Sequence, residues 1–324
     1  MILVCGGAGY IGSHMVRLLN NSDEDVIVID NLVNGHVESI PEGVKFCKGD
    51  LRDEKFLDKI FSENDIESVI HFAAYSIVPQ SVKEPIDYYE NNVYGTMCLL
   101  RAMVNHNVKK IVFSSTAAVY GEPKNIPIKE TDQTEPTNTY GETKLAMEKM
   151  FKRLEIAHDI RYIALRYFNV AGADASGEIG ESHSPETHLI PLILQVPLGK
   201  REKIYIFGDD YETRDGSCVR DYIHVMDLVK AHKLALGKLR DGGKSDVYNL
   251  GSGEGFSVKE MIEAARKVTG HPIPAELAPR RAGDPATLIA SSDKARNELG
   301  WKPKYENVEK MIQTAWNWHK NQRY

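Results

Sequence analysis

The chain has 324 residues, of which 42% are hydrophobic and 27% are charged, and its formal net charge is −6. This composition is typical of a folded globular protein rather than a disordered one, and the length suits two unequal α/β parts. Because a mildly acidic chain is a poor match for a phosphate backbone, we expect no nucleic-acid partner.

The four cysteines, Cys5, Cys47, Cys98 and Cys218, stand far apart and form no CxxC pair. We interpret them as reduced, mostly buried thiols rather than as disulfides or zinc ligands, which predicts a cytoplasmic protein without a metal site. No apolar run approaches the ~18 residues of a membrane span, and the first residues lack the basic start of a secretory signal. We therefore expect neither membrane insertion nor export.

Short β-branched runs alternate with amphipathic segments over the first half of the chain. The runs are "MILVCG", "VIVID", "VKFCKGD", "SVIHFAA", "KKIVFSS" and "RYIALRYF". This alternation is typical of βαβ units, in which helices cover both faces of a parallel sheet. The sequence therefore predicts a doubly wound α/β domain over residues 1–168.

The glycine-rich segment "VCGGAGYIGSH" lies between the first predicted strand and the first predicted helix. Gly6 permits a tight turn, Gly9 lets backbone N–H groups approach a pyrophosphate, and Gly12 lets the helix pack closely. Asp30 ends the second strand, 18 residues past Gly12. Its carboxylate can accept both ribose hydroxyls of an adenosine and would repel a 2′-phosphate. A Rossmann-type domain that binds NAD rather than NADP is therefore predicted.

Beyond residue 168 the strand rhythm gives way to the polar stretch "NVAGADASGEIGESHSPETH", where we place the domain boundary. Further on, "IYIFGDD" and "VYNLGS" are interpreted as strands. The predicted helices are "LIPLILQVPLG", "HVMDLVKAHKLALGKL", "VKEMIEAARKVTG" and "VEKMIQTAWNWHK". A smaller α/β domain over residues 169–324 is predicted to bind the substrate, and part of residues 217–250 is expected to pack back on the first domain.

The GxxGxxG spacing of "GYIGSH" and its neighbours resembles that of the extended short-chain dehydrogenase/reductases. That family uses a Tyr and a Lys four residues apart, since positions i and i+4 share one helix face and an ammonium can lie beside a phenol. Of the two YxxxK segments, Tyr120 to Lys124 contains Pro123, which opposes a helix. The other segment, "TNTYGETKLAMEKMF", predicts a helix with Thr137 or Asn138 as its N-cap. The prediction is therefore Tyr140 as the base, with Lys144 beside it.

A hydroxyl is expected as the third catalytic group, and "KKIVFSSTAAVYG" ends a strand with three of them. Thr116 is our candidate, in place of the more usual Ser. Ala117 and Ala118 follow it, whereas the related 4,6-dehydratases carry an acidic pair there to expel water. The site thus resembles one that takes a hydride and returns it or passes it on. A free phenol has a pKa near ~10, so Lys144 and a positive nicotinamide ring together would have to lower that of Tyr140.

Longer segments in both halves are similar to the UDP-galactose 4-epimerase family. They include "GGAGYIGSH", "YYENNVYGT", "FSSTAAVYG", "LRYFNVAGA" and "APRRAGDPA", and the most specific is "FGDDYETRDGSCVRDYIHV". The resemblance implies an NAD site formed by Gly6, Gly9, Tyr10, Ile11, Gly12, Asp30, Asn31, Asp50, Leu51, Phe72, Ala73, Ala74, Asn91, Ser114, Tyr140, Lys144 and Tyr167. It implies a UDP-sugar site formed by Thr116, Tyr140, Asn169, Leu189, Phe207, Arg220, Tyr222, Arg281, Asp284 and Leu288.

The resemblance implies reversible 4-epimerisation of UDP-glucose and UDP-galactose through a transient 4-keto sugar, with tightly bound NAD. It also implies a homodimer, formed through "DYYENNVYGTMCLLRAMVNH" and "TYGETKLAMEKMF". Where the family carries a Tyr that restricts the sugar pocket, this chain has Leu288, so UDP-N-acetylhexosamines are further candidate substrates. Ser76 and His188 depart from the family pattern and receive no role. The alternatives are a UDP-glucuronate epimerase, a sugar-nucleotide dehydrogenase that releases NADH, or a non-catalytic NAD-sensing regulator.

Overall fold

The computed structural model describes residues 1–281 and 285–324. Within them the strands are β1 (Ile2–Cys5), β2 (Val26–Asp30), β3 (Lys45–Lys48), β4 (Ser68–His71), β5 (Lys110–Ser114), β6 (Arg161–Tyr167), β7 (Asn169–Ala171), β8 (Ile204–Phe207), β9 (Val219–Arg220), β10 (Tyr222–His224), β11 (Asp246–Leu250), β12 (Phe256–Ser257), β13 (Ala275–Ala278) and β14 (Thr287–Leu288).

The helices of the described residues are α1 (Tyr10–Asn20), α2 (Glu54–Glu63), α3 (Val78–Lys83), α4 (Pro85–Tyr88), α5 (Gly95–Asn105), α6 (Thr139–His158), α7 (Leu189–Leu194), α8 (Val225–Arg240), α9 (Val258–Thr269), α10 (Asp293–Glu298) and α11 (Val308–Lys320). A π-helical turn, Tyr89–Tyr94, joins α4 to α5, and short 3-10 turns lie at Val37–Ser39 and Ala117–Tyr120. None of these helices is long and apolar enough to cross a membrane.

Seven parallel strands form the central sheet in the order β11-β6-β5-β4-β1-β2-β3. The chain winds outward from β1 in one direction through β2 and β3, and from β4 in the other direction through β5 and β6. The topological switch point therefore lies between β1 and β4, where ligands bind in such folds. This order confirms the predicted Rossmann-type sheet.

Successive residues of a strand point to opposite faces of the sheet, and both faces are buried. Ile2 and Val4 belong to one apolar cluster together with Met15 of α1. Leu3 belongs to the other cluster, together with Leu99 of α5. Burial on both faces explains why the strands consist of near-continuous apolar runs rather than alternating ones.

Residues 225–250 return to the central sheet after the chain has left it. Helix α8 packs against α1, β5 and β6, and β11 pairs in parallel with β6. Both elements match segments predicted as a helix and a strand. The sheet therefore includes residues from both sides of residue 168, and the domain boundary at that position stays a prediction.

The rest of the second half consists of small sheets and three helices around a separate core. β7 pairs with β10, β8 with β13, and β9 lies between β12 and β14. Ile190 of α7, Met261 of α9 and Met311 of α11 are buried in this core. α7 is shorter than the predicted helix and ends at Leu194, two residues before Val196, which precedes Pro197 and so is biased away from helical geometry.

Candidate active site

The glycine loop joins β1 to α1 and has the geometry that a bound pyrophosphate needs. Gly6 has a φ of +78°, and a Cβ there would lie 2.6 Å from the backbone N of Ala73. A Cβ on Gly12 would lie 2.0 Å from the carbonyl oxygen of Gly6, so the helix can approach the loop only without a side chain. At Gly9, by contrast, the nearest atom would be 3.5 Å away, and the first turn of α1 carries no acidic residue. The loop thus leaves open space before unpaired helix N–H groups.

The two residues after Gly9 begin α1. The Tyr10 hydroxyl donates to the carbonyl oxygen of Gly172, 2.5 Å away, so its ring reaches into the second half of the chain. Ile11 packs against the first apolar cluster of the sheet. The Tyr10 side chain therefore ties the start of α1 to the second half of the chain, and the Ile11 side chain ties it to the core of the sheet.

Asp30 lies at the end of β2, beside the same loop. Its carboxylate accepts hydrogen bonds from the backbone N–H groups of Ala8, at 3.0 Å, and Leu32, at 2.8 Å. The residue is only 8% exposed. Burial raises the pKa of Asp30, and the two backbone hydrogen bonds oppose that rise. The acid predicted for the ribose thus also fixes the glycine loop.

Asp50 and Leu51 follow β3 in a turn next to the end of β2. Asn31 donates to the Asp50 carboxylate at 3.1 Å, and the Arg52 guanidinium donates to both of its oxygens at 2.8 Å. The hydrogen bonds from Arg52 hold the pKa of Asp50 well below its usual range. Leu51 packs against the second apolar cluster. Our sequence reasoning missed Arg52, although the i+2 spacing in "DLR" was a usable signal.

The segment after β4 supplies Phe72, Ala73 and Ala74. The backbone N–H groups of Phe72 and Ala73 donate to the carbonyl oxygen of Cys5, at 2.8 and 3.1 Å, so this segment continues the sheet edge beside the glycine loop. The Phe72 ring packs on His232, with 4.7 Å between the ring centroids.

Asn91 lies in the π-helical turn and donates to the side chain of Asn92 at 3.0 Å. Asn92 is fully buried and bonds to both the N–H and the C=O of Tyr75, at 2.8 and 3.0 Å. It also donates to the hydroxyl of Thr143, at 3.1 Å, in the helix that carries the predicted catalytic pair. Asn92 thus ties that helix to the sheet edge, a role that "ENN" alone did not reveal.

Helix α6 begins where the sequence predicted, with Asn138 as the N-cap, whose side chain accepts from the N–H of Gly141 at 2.9 Å. Tyr140 and Lys144 lie one turn apart, and the Lys144 ammonium is 5.9 Å from the centroid of the Tyr140 ring. Lys144 is only 2% exposed and donates to the backbone carbonyl of Ser114 at 2.7 Å. The pair therefore faces the carboxyl end of β5.

Thr116 and Ser114 complete this end of the sheet. The Thr116 hydroxyl accepts from the N–H of Ala118 at 3.1 Å and caps the following 3-10 turn. The Ser114 hydroxyl is hydrogen-bonded to that of Tyr167, at the end of β6. Burial raises the pKa of Tyr167, and the nearby Tyr140 raises it further.

Burial also governs the ionisation of the predicted catalytic pair. It raises the pKa of Tyr140 to about 12, a rise that the hydrogen bond with Thr116 opposes. It lowers the pKa of Lys144 to about 7, against the attraction of Glu148. In the chain itself the phenol is therefore protonated at neutral pH, and the lowering of its pKa by Lys144 together with a nicotinamide ring stays a prediction.

A buried polar network begins one helical turn beyond Lys144, and the sequence analysis did not predict it. Glu148, one turn further along α6, forms an ion pair with Arg166, whose Nε donates to it at 2.9 Å. Arg166 also donates to the Tyr120 hydroxyl at 2.9 Å, and that hydroxyl donates to Asn249 at 2.6 Å. The rejected YxxxK tyrosine thus belongs to this network rather than to the catalytic pair.

Two buried histidine nitrogens near this edge make no hydrogen bond within the described residues: Nδ1 of His71 and Nε2 of His232. Burial lowers the pKa of His71 to about 3 and that of His232 to about 4, so both rings are neutral. Because an unsatisfied buried nitrogen is costly, these atoms are positions where a bound polar group can supply the missing partner. Together with the open space at Gly9 and the Asp30 carboxylate, they fit a dinucleotide.

Four of the residues predicted for the UDP-sugar are paired through the small sheets. Asn169 of β7 stands opposite Tyr222 of β10, and Leu288 of β14 stands opposite Arg220 of β9. The Arg220 guanidinium donates to the carbonyl oxygen of Val219 at 2.9 Å. Burial raises the pKa of Tyr222, and the charge of Arg220 opposes that rise.

The remaining predicted substrate residues lie on loops and at element ends. The Arg281 guanidinium stacks over the ring of Phe207, 3.9 Å from its centroid, at the end of β8. Leu189 is the first residue of α7. Asp284 lies outside the described residues.

Leu288 is partly buried and packs against an apolar cluster that includes Val119 and Tyr120. Those two residues belong to the 3-10 turn that Thr116 caps. Leu288 therefore links the turn beside the predicted catalytic hydroxyl of Thr116 to the strand that carries Arg220.

A family model described as GDP-mannose 4,6 dehydratase matches residues 3–315. A curated UDP-glucose 4-epimerase of Halalkalibacterium halodurans is 64% identical over 98% of this chain and 95% of its own length. A solved UDP-glucose 4-epimerase of Bifidobacterium longum, in complex with NAD+ and UDP, is 43% identical with a TM-score of 0.93, covering 99% of this chain and 98% of its own. A UDP-Glc/GlcNAc 4-epimerase of Campylobacter jejuni is 42% identical with a TM-score of 0.87, covering 98% of each chain.

Proposed function

Because this chain belongs to the family of the UDP-glucose 4-epimerases, we propose that it interconverts UDP-glucose and UDP-galactose through a transient 4-keto sugar, with NAD held tightly. The observation that carries this proposal is the convergence of Thr116, Tyr140 and Lys144 at the carboxyl end of β5. A hydroxyl, a phenol and a buried ammonium together can move the proton of a sugar hydroxyl.

The residues after Thr116 favour epimerisation over the dehydration for which the matching family model is described. Ala117 and Ala118 carry no carboxyl group that could remove a proton and expel water. The relatives, matched over almost the whole chain, are named UDP-glucose 4-epimerases. Their names disfavour the three alternatives: a dehydrogenase that releases NADH, a UDP-glucuronate epimerase and a non-catalytic regulator.

The glycine loop, the ends of the first strands and the Tyr140–Lys144 pair would hold the cofactor. When bound, NAD accepts the hydride of C4 and returns it, and its ring adds a positive charge beside the phenol. The Asp30 carboxylate favours the unphosphorylated ribose because a 2′-phosphate would meet a second negative charge.

Tyr140 holds and moves the proton of the C4 hydroxyl. With its pKa lowered by Lys144 and the positive ring of the bound cofactor, Tyr140 would act as a phenolate: it would accept the proton of the C4 hydroxyl, oriented by the Thr116 hydroxyl, and would return that proton to the C4 oxygen after the sugar has turned over. The Lys144 ammonium lies close enough to stabilise a phenolate, and the Ser114 carbonyl and Glu148 keep it in position.

The sugar must turn over between the two proton transfers, while the nucleotide stays bound. Arginine forks suit a diphosphate, and Arg220 and Arg281 stand among the residues proposed for it. Asn169 stands opposite Tyr222, Phe207 stacks with Arg281, and Leu189 begins α7; we propose that these residues line the same UDP-sugar site. Firm nucleotide contacts and loose sugar contacts allow this rotation.

Leu288 is proposed to set the width of the sugar pocket. It lacks the ring and hydroxyl of a Tyr, and it packs on the turn next to Thr116 rather than in the main cores. We propose that this smaller side chain leaves room for a 2-acetamido group in both sugar orientations, so that UDP-N-acetylglucosamine and its galacto epimer are also substrates.

A cytoplasmic homodimer is proposed for the assembled protein. An apolar groove lies between α5 and α6, lined by Met97, Leu100, Val104, Met150 and Leu154, and Met97 is 41% exposed. Exposed apolar surface of this kind suits a subunit interface. All four cysteines are unpaired, as expected in a reducing compartment.

A coupled assay with UDP-galactose tests the function. We expect UDP-glucose to form without added NAD. If the protein consumes the substrate only with added NAD and releases NADH, it is a dehydrogenase. If it binds NAD but transforms no UDP-sugar, including UDP-glucuronate, the epimerase proposal is wrong.

A further inference from the structure

Four side chains converge in the polar segment between β7 and α7: Glu181, His183, Glu186 and His188. One ligand-type atom from each lies within 4.8 Å of those of the other three. The sequence spacing, E-x-H-x-x-E-x-H, belongs to the segment that we first interpreted only as a polar boundary. None of these residues is needed for the proton transfers described above.

The distances between the four groups match those within a tetrahedral metal site. The Nδ1 atom of His183 is 3.2 Å from a Glu181 oxygen and 3.7 Å from a Glu186 oxygen. That of His188 is 2.9 Å from Glu181 and 3.0 Å from Glu186. Zinc bonds of about 2.0–2.2 Å in a tetrahedron place neighbouring ligand atoms about 3.3 Å apart. The His183 distance is to Oε2 of Glu186 and the His188 distance is to Oε1, so the four groups lie near the corners that such an ion requires, with either Glu186 oxygen available as a ligand.

One nitrogen of the cluster is poorly placed for a hydrogen bond. Nδ1 of His183 is buried and lies 3.2 Å from a Glu181 oxygen, but among the described residues it meets the geometry of a hydrogen bond with none. Glu181, whose carboxylate it faces, is only 5% exposed. A metal ion between the four groups would satisfy this nitrogen directly.

Hydrogen bonds from neighbouring groups hold the glutamates of the cluster in place, as hydrogen bonds to the ligands do in known metal sites. A Glu186 oxygen accepts from the backbone N–H groups of Thr187 and His188, at 2.7 and 2.8 Å. The Trp318 indole of α11 donates to the backbone carbonyl of Glu181 at 2.8 Å. The cluster is thus fixed by its own segment and by the last helix.

We propose that Glu181, His183, Glu186 and His188 form a site for one divalent cation of the zinc class. Two imidazole nitrogens and two carboxylate oxygens suit zinc, and four protein ligands close its tetrahedral coordination, so the site is structural rather than catalytic. His188 is the N-cap residue of α7, so the ion would fix the start of the helix that carries Leu189.

Zinc binding by the tag-free, NAD-containing protein tests the proposal. After treatment with a chelator, the protein is equilibrated with buffered Zn²⁺ alone, and bound metal is measured by mass spectrometry. We expect about one zinc per chain, and below about 0.1 in the double variant His183→Gln/His188→Gln. His106→Gln is the matched control, because His106 also contacts a carboxylate, that of Asp58, at 2.8 Å; it should retain the zinc.

Cobalt(II) gives a second readout that does not depend on the variants folding. In the wild-type protein, Co²⁺ should produce the strong visible absorption of a four-coordinate site, and Zn²⁺ should displace it. A wild-type protein that binds no zinc, or a folded double variant that binds as much as the wild type, would overturn the proposal and leave a hydrogen-bonded ion-pair cluster. Neither result would alter the epimerase assignment, which is measured separately.

Discussion

On the cofactor side of the candidate site, the functional groups stand at one edge of a seven-stranded parallel sheet and on the helix beside it, whereas on the UDP-sugar side they stand on sheets of two or three strands and on loops. Lys144 is 2% exposed and fixed by the Ser114 carbonyl, but Arg281 is exposed and stacks on a partly exposed ring. The difference follows from the two tasks. Proton transfer needs a dry, fixed geometry, while holding a diphosphate needs accessible charge.

The contrast has an energetic consequence. A change in the buried groups, Thr116, Tyr140 and Lys144, should act on the chemical step. These groups are proposed to contact the reacting atoms, and water cannot take their place. A change in the more accessible arginines, Arg220 and Arg281, should act mainly on substrate affinity.

Tyr140→Phe should reduce kcat by about 10³-fold or more, since it removes the proton acceptor but keeps the ring in its buried position. The variant should fold and retain NAD. Both are measured, as coupled epimerase rate and as dinucleotide released on denaturation. A rate within a few fold of wild type would show that another group is the base.

Arg220→Ala should raise KM for UDP-galactose by about 10–100-fold and change kcat far less, because it removes a charge-assisted contact with the diphosphate. Arg214→Ala is the matched control. Arg214 is a nearby arginine that forms an ion pair with Glu260. If kcat falls as much as kcat/KM while KM stays constant, the division between the two sides is wrong at this residue.

Leu288→Tyr should lower the ratio of kcat/KM for UDP-N-acetylglucosamine to that for UDP-galactose by about 10-fold or more, because the added ring occupies the space of the acetamido group. Activity on UDP-galactose itself should change little. An unchanged ratio would mean that Leu288 serves only the apolar cluster around Val119.

Lys144→Met should change the pH dependence of stability. Burial lowers the pKa of Lys144 from 10.5 to about 7, so between these values the unfolded chain binds the extra proton. The wild type therefore gains stability as pH rises through this window, and the variant does not. The Tm of the wild type minus that of Lys144→Met should therefore increase by a few degrees between about pH 7 and about pH 10. Lys152→Met, an exposed lysine of α6, is the control, and equal behaviour of the two variants would contradict the assignment.

The sequence predicted the regular part of the structure well because periodicity and glycine chemistry are local. The strand runs, the glycine loop and the N-cap at Asn138 all follow from neighbouring residues. The predicted end of α7 was wrong because the apolar run continues past Leu194, where the helix ends. Pro197 was a usable signal for the earlier end.

The groups that sequence reasoning missed depend on contacts between distant segments. Glu148 and Arg166 lie on different elements, and only the fold shows that they pair behind Lys144. Similarly, a pattern cannot show how completely Tyr140 is buried, and burial is what raises the pKa of its phenol. The roles of the UDP-sugar residues came from family resemblance rather than from residue patterns, because short strands and loops carry weak local signals.

The central claim is that the cofactor stays bound and returns the hydride to the same sugar. Its most direct test is the NAD balance of protein purified without added NAD. We predict about one dinucleotide released per chain on denaturation, and complete equilibration of UDP-galactose with UDP-glucose without free NADH. Accumulation of NADH in proportion to the UDP-sugar consumed would contradict this account.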